Sequence, residues 1–287
     1  MKPPHPHGAR PAGHGRPPQP ERGPREGRPR PHQPPPAQAP RHGPEAPRGA
    51  VWLYGTHAVA AALANPSRRL RRLLLTEDAE AGLATRLAPP WAIGAERAER
   101  ARLDQLLGRD VVHQGAALLA DPLAPPSLAH LLDRPGPVIV LDQVSDPRNV
   151  GAILRCAAAF AAAGVITQER NAPEETGALA KAASGALETV PLLRAVNIAR
   201  TLVALKAAGC WVVGLDATAR TALSGPDLAQ RRVALVLGSE GEGMRRLTRD
   251  TCDELAGIAM PGGSRALDSL NVAAAAAVAL YELGRPA

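Results

Sequence analysis

From residue 137 onward, short apolar and β-branched runs alternate with stretches whose apolar residues recur at helical spacing. The runs are "PVIVLDQ" (137–143), "GVITQ" (164–168), "TVPLL" (189–193), "WVVGLDA" (211–217), "VALVLGS" (233–239) and "LAGIAM" (255–260). Uninterrupted apolar strands of this length belong to a parallel sheet buried on both faces. Helices are predicted near 149–162, 175–185, 196–208, 243–249 and 270–283. The alternation therefore reads as an α/β domain over 137–287, its sheet covered on both sides.

A smaller α/β module precedes it, over 51–122. Val51–Tyr54 is short and apolar, Thr56 is placed to cap a helix over 57–64, and Asn65-Pro66 ends that helix. "RLRRLLLT" reads as a strand with a basic approach, a helix follows near 98–107, and "VVHQGAALLA" (111–120) is predicted to close the module as a strand pair. The proline-rich stretch 123–136 reads as a linker with one helical turn.

Residues 1–50 change the picture. They hold 16 of the 30 prolines and, after Met1, no Val, Ile, Leu, Phe, Trp or Tyr. Such a segment cannot bury a core and is expected to be disordered. Nine basic against three acidic residues put a net +6 there, out of +7 for the whole chain. Two readings stay open: a basic arm attracted to RNA, or a tolerated low-complexity extension.

Cys156, Cys210 and Cys252 lie far apart and lack metal-ligand spacing, which fits a reducing compartment and argues against a disulfide framework. No apolar run is long enough to span a bilayer, and no signal-peptide pattern opens the chain. The expectation is a soluble, cytoplasmic protein with no membrane partner and no metal.

Three stretches carry chemistry. "VSDPRNVGAILRC" (144–156) puts a polar turn, Asn149, Gly151 and Arg155 at the carboxyl end of a strand, where open α/β sheets bind ligands. "GSEGEGM" (238–244) is a glycine turn, but it lacks the spacing and lysine of a phosphate loop, and Glu240 and Glu242 would repel a polyphosphate. Glycine there lets backbone approach a ligand without phosphates. "SLNVAAAAAVALYEL" (269–283) opens an alanine-rich helix, with Ser269 placed to cap it and Asn271 in its first turn.

Together these stretches resemble the three motifs of the SpoU family of SPOUT methyltransferases: Asn149 to Arg155, Gly238 to Gly243, and Ser269 to Val272. The front module, with "YGTHAVAAAL" and "HQG" (113–115), is similar to the substrate-binding domain found ahead of the methylase in the ribosomal RNA guanosine branch. The resemblance implies a knotted parallel sheet, a homodimer, and S-adenosylmethionine-dependent methylation of a guanosine ribose 2′-hydroxyl in large-subunit ribosomal RNA. A transfer RNA substrate and a noncatalytic RNA-binding protein are the alternatives. One departure stands out: the loop between Met260 and Ser269 is longer than the family's usual turn.

The resemblance also assigns roles. Arg155 is the catalytic arginine, and its permanently charged guanidinium suits gripping a phosphate and a developing oxyanion better than acting as a base. The base is then that phosphate or a water. Asn149, Glu240 and Asn271 are expected to orient the ribose and hold the loops. Gly238, Ile258 and Leu270 are expected to cradle the adenosyl group, with Ser239, Gly241, Met260 and Ser269 beside them. RNA is expected to meet Arg68, Arg69, Arg71, Arg72 and His113, although His113 also reads as a hydrogen bonder at a strand end. At 2% aromatic residues, base stacking is a minor mode of recognition.

Overall fold

The computed structural model describes residues 46–170, 172–260 and 270–285. The expectations for residues 1–45, for Ser269 and for the path of 261–269, and with it the knot, lie outside the described residues. A turn in which the Ala50 N–H donates to the Pro47 carbonyl (3.0 Å) leads into β1 (Val51–Tyr54). Then follow α1 (Thr56–Ala64), β2 (Leu70–Leu75), α2 (Glu77–Ala84), β3 (Ala95–Arg97), α3 (Arg100–Leu107) and β4 (Ala116–Ala120). They make a four-stranded sheet of order β1-β4-β2-β3.

At two places the local structure differs from what the sequence predicts. Gly55, at φ 90°, is the N-cap of α1, and Thr56 is its first residue; the Thr56 N–H donates to Gln114 Oε1 at 3.3 Å. The segment 111–120 makes one strand, because Gln114 turns the chain at φ 55° and the Gly115 N–H donates to His113 Nδ1 at 3.0 Å.

The connecting segment holds α4 (Leu128–Leu132), capped by the Ser127 hydroxyl. Beyond it come β5 (Val138–Leu141), α5 (Pro147–Ala159), β6 (Gly164–Gln168), α6 (Gly177–Ala183), a 3-10 turn (Ala186–Glu188), β7 (Leu192–Ala195), α7 (Ile198–Ala207) and β8 (Cys210–Leu215). Next are α8 (Gly225–Leu228), β9 (Arg232–Leu237), α9 (Arg246–Thr251), β10 (Glu254–Ala256) and α10 (Val272–Leu283). The six strands from β5 to β10 are all parallel, in the order β10-β8-β9-β5-β6-β7. Alternate residues feed two cores, Ile139, Leu141, Val165 and Leu235 on one side and Val138, Val140, Ile166 and Val236 on the other. This is why the strands read as continuous apolar runs. β7 starts later than predicted because the 3-10 turn precedes it, and α9 starts later because Gly243, at φ 70°, belongs to a tight turn.

Strand order positions the site. The chain lays down β5, β6 and β7 outward, then returns to the other side of β5 for β8 and β9. The connections therefore diverge at the neighbouring ends of β5 and β9, which is the topological switch point. α5 packs on α6 so closely that a Cβ on Gly151 would lie 2.5 Å from the Leu179 carbonyl oxygen. α6 in turn meets the front sheet, where a Cβ on Gly177 would lie 2.2 Å from the Tyr54 ring and 2.4 Å from the Trp52 carbonyl oxygen. α10 lies against α5 and α8.

Gly177→Ala is therefore expected to destabilise the protein by about 1–3 kcal/mol, the usual range for overpacking a filled contact. Gly82→Ala, in α2 with nothing near its missing Cβ, should instead stabilise by about 0.5–1 kcal/mol on helix propensity alone. Urea unfolding of the two variants checks the contrast, and equal midpoints would refute the close contact.

Candidate active site

At the end of β5 the apolar run gives way to Asp142, whose carboxylate is fully buried. It accepts from the Arg245 backbone N–H and from Arg245 Nε, each at 2.8 Å. The ends of β5 and of the glycine turn after β9 are thus tied by one buried carboxylate. Asp142 was not singled out from the sequence; its signal was a carboxylate directly after an apolar strand.

The Gly238–Met244 turn folds on itself. Ser239 and Gly243 exchange backbone hydrogen bonds at 3.1 and 3.0 Å, and Gly241 and Gly243 both adopt positive φ. A Cβ on Gly238 would lie 2.1 Å from the Gly243 carbonyl carbon. Glycine at 238 thus serves an approach of backbone to backbone.

The turn presents Glu240 to two other segments. Asp146 caps α5, with Pro147 in its first turn, and this sets Asn149 near the helix start. Asn149 Nδ2 donates to Glu240 Oε1 at 3.2 Å, Asn271 Nδ2 donates to the same oxygen at 2.6 Å, and the Val272 N–H does so at 3.3 Å. Asn271 Nδ2 also donates to Asn149 Oδ1 at 3.1 Å. Asn271, rather than Ser269, is the N-cap of α10, its Oδ1 accepting from the Ala273 and Ala274 N–H groups at 2.9 and 3.3 Å. Its amide is saturated by these bonds, so it acts as a tether, whereas Glu240 Oε2 has no protein donor among the described residues.

Arg155 is not part of this cluster. It lies six residues beyond Asn149, about 9 Å along the helix axis, and its side chain is exposed. At helical spacing it shares a stripe with Arg148, Ala152 and Ala159, away from the buried Val150, Ile153, Leu154 and Ala157. Ser239 and Ile258 are half-buried, while Gly241, Met260 and Leu270 are exposed.

Two of the side chains expected to meet RNA are instead interior. Arg68 is fully buried, donating to Glu188 Oε1 at 2.5 Å, to the Asp121 carbonyl at 2.9 Å and to Glu175. Burial pulls its pKa down, but the two carboxylates more than offset this and hold it above the usual arginine value. His113 is also fully buried, its Nε2 against Asp104 Oδ1 at 2.9 Å and its Nδ1 on the Gly115 N–H. Neither can reach a phosphate, because each is committed inside the fold. Arg71 is paired with Asp121, and Arg72 forks onto Glu96 at 2.8 and 2.7 Å. Arg69 also lies near Asp121, Nε to Oδ2 at 3.7 Å, but its side chain is 85% exposed and it is the most accessible of the four arginines.

Among the described residues, no group of three or more His, Cys, Asp or Glu side chains could hold a metal, and no helix is long and apolar enough to cross a membrane. Burial pushes the Cys156 and Cys210 thiols up and Cys252 up to about 11, so none offers a thiolate near neutral pH.

Comparison with known proteins places these features in a family. Residues 136–281 match the model described as the SpoU rRNA Methylase family, and residues 52–126 match that of RNA 2′-O ribose methyltransferase substrate binding. The 23S rRNA (guanosine-2′-O-)-methyltransferase RlmB of Pseudomonas syringae pv. tomato is 38% identical over 80% of this chain and 93% of its own length. The RlmB of Ralstonia nicotianae is 40% identical over 81% of this chain and 94% of its own. A Synechocystis protein named as an uncharacterized tRNA/rRNA methyltransferase is 38% identical over 81% of this chain, which spans 62% of that longer protein. Among solved structures, the SpoU methyltransferase AviRb of Streptomyces viridochromogenes shares the fold at TM-score 0.65 and 22% identity, over 82% of this chain and 89% of that one.

The Asp142–Arg245 tie yields a test. Asp142→Asn keeps the shape but sets an amide N–H₂ against an arginine donor, so stability should fall by about 1–3 kcal/mol. Urea denaturation checks it. An unchanged midpoint would mean that the turn after β9 holds its place without this carboxylate.

Proposed function

Because the chain belongs to the SpoU rRNA methylase family, we propose that it methylates a guanosine ribose 2′-hydroxyl in large-subunit ribosomal RNA, with S-adenosylmethionine as donor. The reading is carried by one observation: three segments far apart in the chain meet through Asn149, Glu240 and Asn271 at the β5–β9 switch point. The RlmB relatives, which match both domains, support the ribosomal substrate.

The residues at this edge fit the donor. Carboxylates instead of a lysine line the glycine turn, which disfavours a polyphosphate and suits a sulfonium. Met260 and Leu270 are exposed apolar side chains, as an adenine ring requires. Backbone of Gly238, Ile258 and Leu270 would hold the adenosyl group, with Ser239 and Gly241 beside it. S-adenosylmethionine, when bound, supplies an electrophilic methyl group.

The protein's own work is positioning. Asn149 has one amide hydrogen left to orient the ribose, and the uncommitted Glu240 Oε2 can accept from it. Arg155 grips the phosphate beside the target ribose and stabilises negative charge developing on the 2′-oxygen. The proton passes to that phosphate or to water, since the guanidinium stays protonated. Free thiols and an RNA substrate fit a cytoplasmic setting.

A homodimer completes this reading. Ala274, Val278 and Tyr281 form one exposed stripe on α10, and the Tyr281 ring stands edge-on to exposed Phe160 at 6.5 Å. Covering that stripe with a second copy would let Arg155, which touches no member of its own cluster, serve the partner's site across a two-fold axis. The family's trefoil knot belongs to the same proposal, with α10 returning onto α5.

Purified protein with S-adenosylmethionine and a 23S rRNA transcript should yield 2′-O-methylguanosine at one position by mass spectrometry. Arg155→Ala should lower kcat/KM about 10²–10³-fold, as for removal of one transition-state donor, with cofactor affinity within twofold. Methylation of transfer RNA alone, or of a base, would overturn the assignment.

The dimer is tested separately. Val278→Glu with Tyr281→Glu should halve the sedimenting mass at micromolar concentration and lower activity at least about tenfold if the sites are shared. A monomeric variant with full activity would show each site to be complete within one chain.

A further inference from the structure

The strongest feature outside the active site is the buried charge cluster around Arg68. Four segments converge on it. Arg68 and Asn65 come from the turn between α1 and β2, Asp121 and Leu123 from the exit of β4, Glu175 from the loop before α6, and Glu188 from the 3-10 turn. The side chains of Arg68, Glu175 and Glu188 are 0%, 12% and 4% exposed. Each carboxylate oxygen has a donor. Glu188 Oε1 takes Arg68 (2.5 Å), and its Oε2 takes Arg68 Nε (3.1 Å) and Asn65 Nδ2 (2.7 Å). Glu175 Oε1 takes Arg68, and its Oε2 takes the Leu123 N–H at 3.2 Å.

The cluster crosses the boundary between the two matched domains. Arg68 belongs to the front module, and both glutamates belong to the methylase. Nearby contacts cross it as well: Lys181 of α6 donates to the Val112 carbonyl, and Gly177 admits Tyr54 and Trp52. A buried ion cluster adds little net stability over an apolar replacement. What it adds is geometry, because a planar guanidinium between two carboxylates fixes direction as well as distance.

The cluster also stands between the two functional surfaces. Arg69 is the next residue, and its carbonyl accepts from the Asp121 N–H at 2.9 Å. On the other side Glu175 leads into α6, whose contact with Gly151 sets α5, the helix of Asn149 and Arg155.

We infer that Arg68, Glu175 and Glu188 form a positioning clamp that locks the front module onto the methylase, so that a fixed distance between them selects the nucleotide methylated. This rests on the RNA-methylation reading for its functional half and on geometry alone for its mechanical half. Arg68 is a positioning residue, since its side chain is sealed from substrate.

The full chain is compared with Arg68→Met, Arg68→Lys and Glu188→Gln by calorimetry and by methylation of a 23S rRNA transcript. The wild type should melt in one transition, and Arg68→Met in two, as the module and the methylase uncouple. KM for RNA should rise roughly tenfold or more, since small misplacements are costly, while saturated kcat and cofactor affinity stay within about twofold. Methyl groups should spread to neighbouring nucleotides, and Arg68→Lys should recover part of the selectivity. If Arg68→Met fails to fold, Glu188→Gln, which keeps the Arg68–Glu175 pair, carries the same comparison. A single transition with unchanged KM and an unchanged methylated position would overturn the clamp. If the wild type methylated no ribosomal RNA, the functional reading would fail, while the calorimetric comparison would still decide whether the domains are locked.

Discussion

One carboxylate oxygen holds the candidate site together. Glu240 Oε1 receives the amides of Asn149 and Asn271 and the N–H of Val272, and so joins the start of α5, the turn after β9 and the start of α10. Hydrogen bonds to a charged acceptor are stronger than neutral ones, and an anion is favoured at a helix start, where N–H groups lack partners. The charge matters for that reason. A neutral amide could keep its oxygen on the three donors and turn its N–H₂ to the free side, but it would accept them without the charge. The cluster is partly open to water, so its worth lies less in stability than in holding three loops in register.

The frame around that oxygen is made of backbone approaches. Gly238 folds the turn so that Glu240 projects from its tip, and Asp142 anchors the turn's far end through Arg245. Gly151 brings α6 against α5, and Gly177 brings the front sheet against α6. A displacement at any of these contacts would pass to the next, because packed backbone has no flexible side chain to absorb it.

The parallel sheet was legible because both its faces are buried, which leaves continuous apolar runs in the chain. The three motifs were legible as residue types at strand ends, and Asn149, Glu240 and Asn271 do meet. Their division of labour was not legible. Asn271 is consumed as cap and tether, and nothing local to "SLNV" separates it from Ser269 as the cap. β3 escaped notice because "AER" is fully exposed and carries no apolar alternation. The arginines misled for a different reason. "SRRLRR" looks uniformly basic, but the carboxylates that bury Arg68 lie more than a hundred positions away. His113 is hidden the same way by Asp104, one helix earlier.

The burial and pairing of these side chains limit how the protein can hold RNA. Beyond the N-terminal 50 residues the chain is almost neutral in formal charge, and Arg68, Arg71, Arg72 and Arg245 are paired with carboxylates. Net charge on the folded part therefore supplies little attraction to phosphate, which must come from local groups of accessible cations. Arg69 and the α5 stripe of Arg148 and Arg155 offer accessible charge at two such places, one on each domain. Two small basic contacts bind a polyanion weakly one at a time, but together they act as a linked pair whose strength depends on their spacing. A buried cluster that holds this spacing constant gives a weakly charged surface a means of selection that charge alone would not provide.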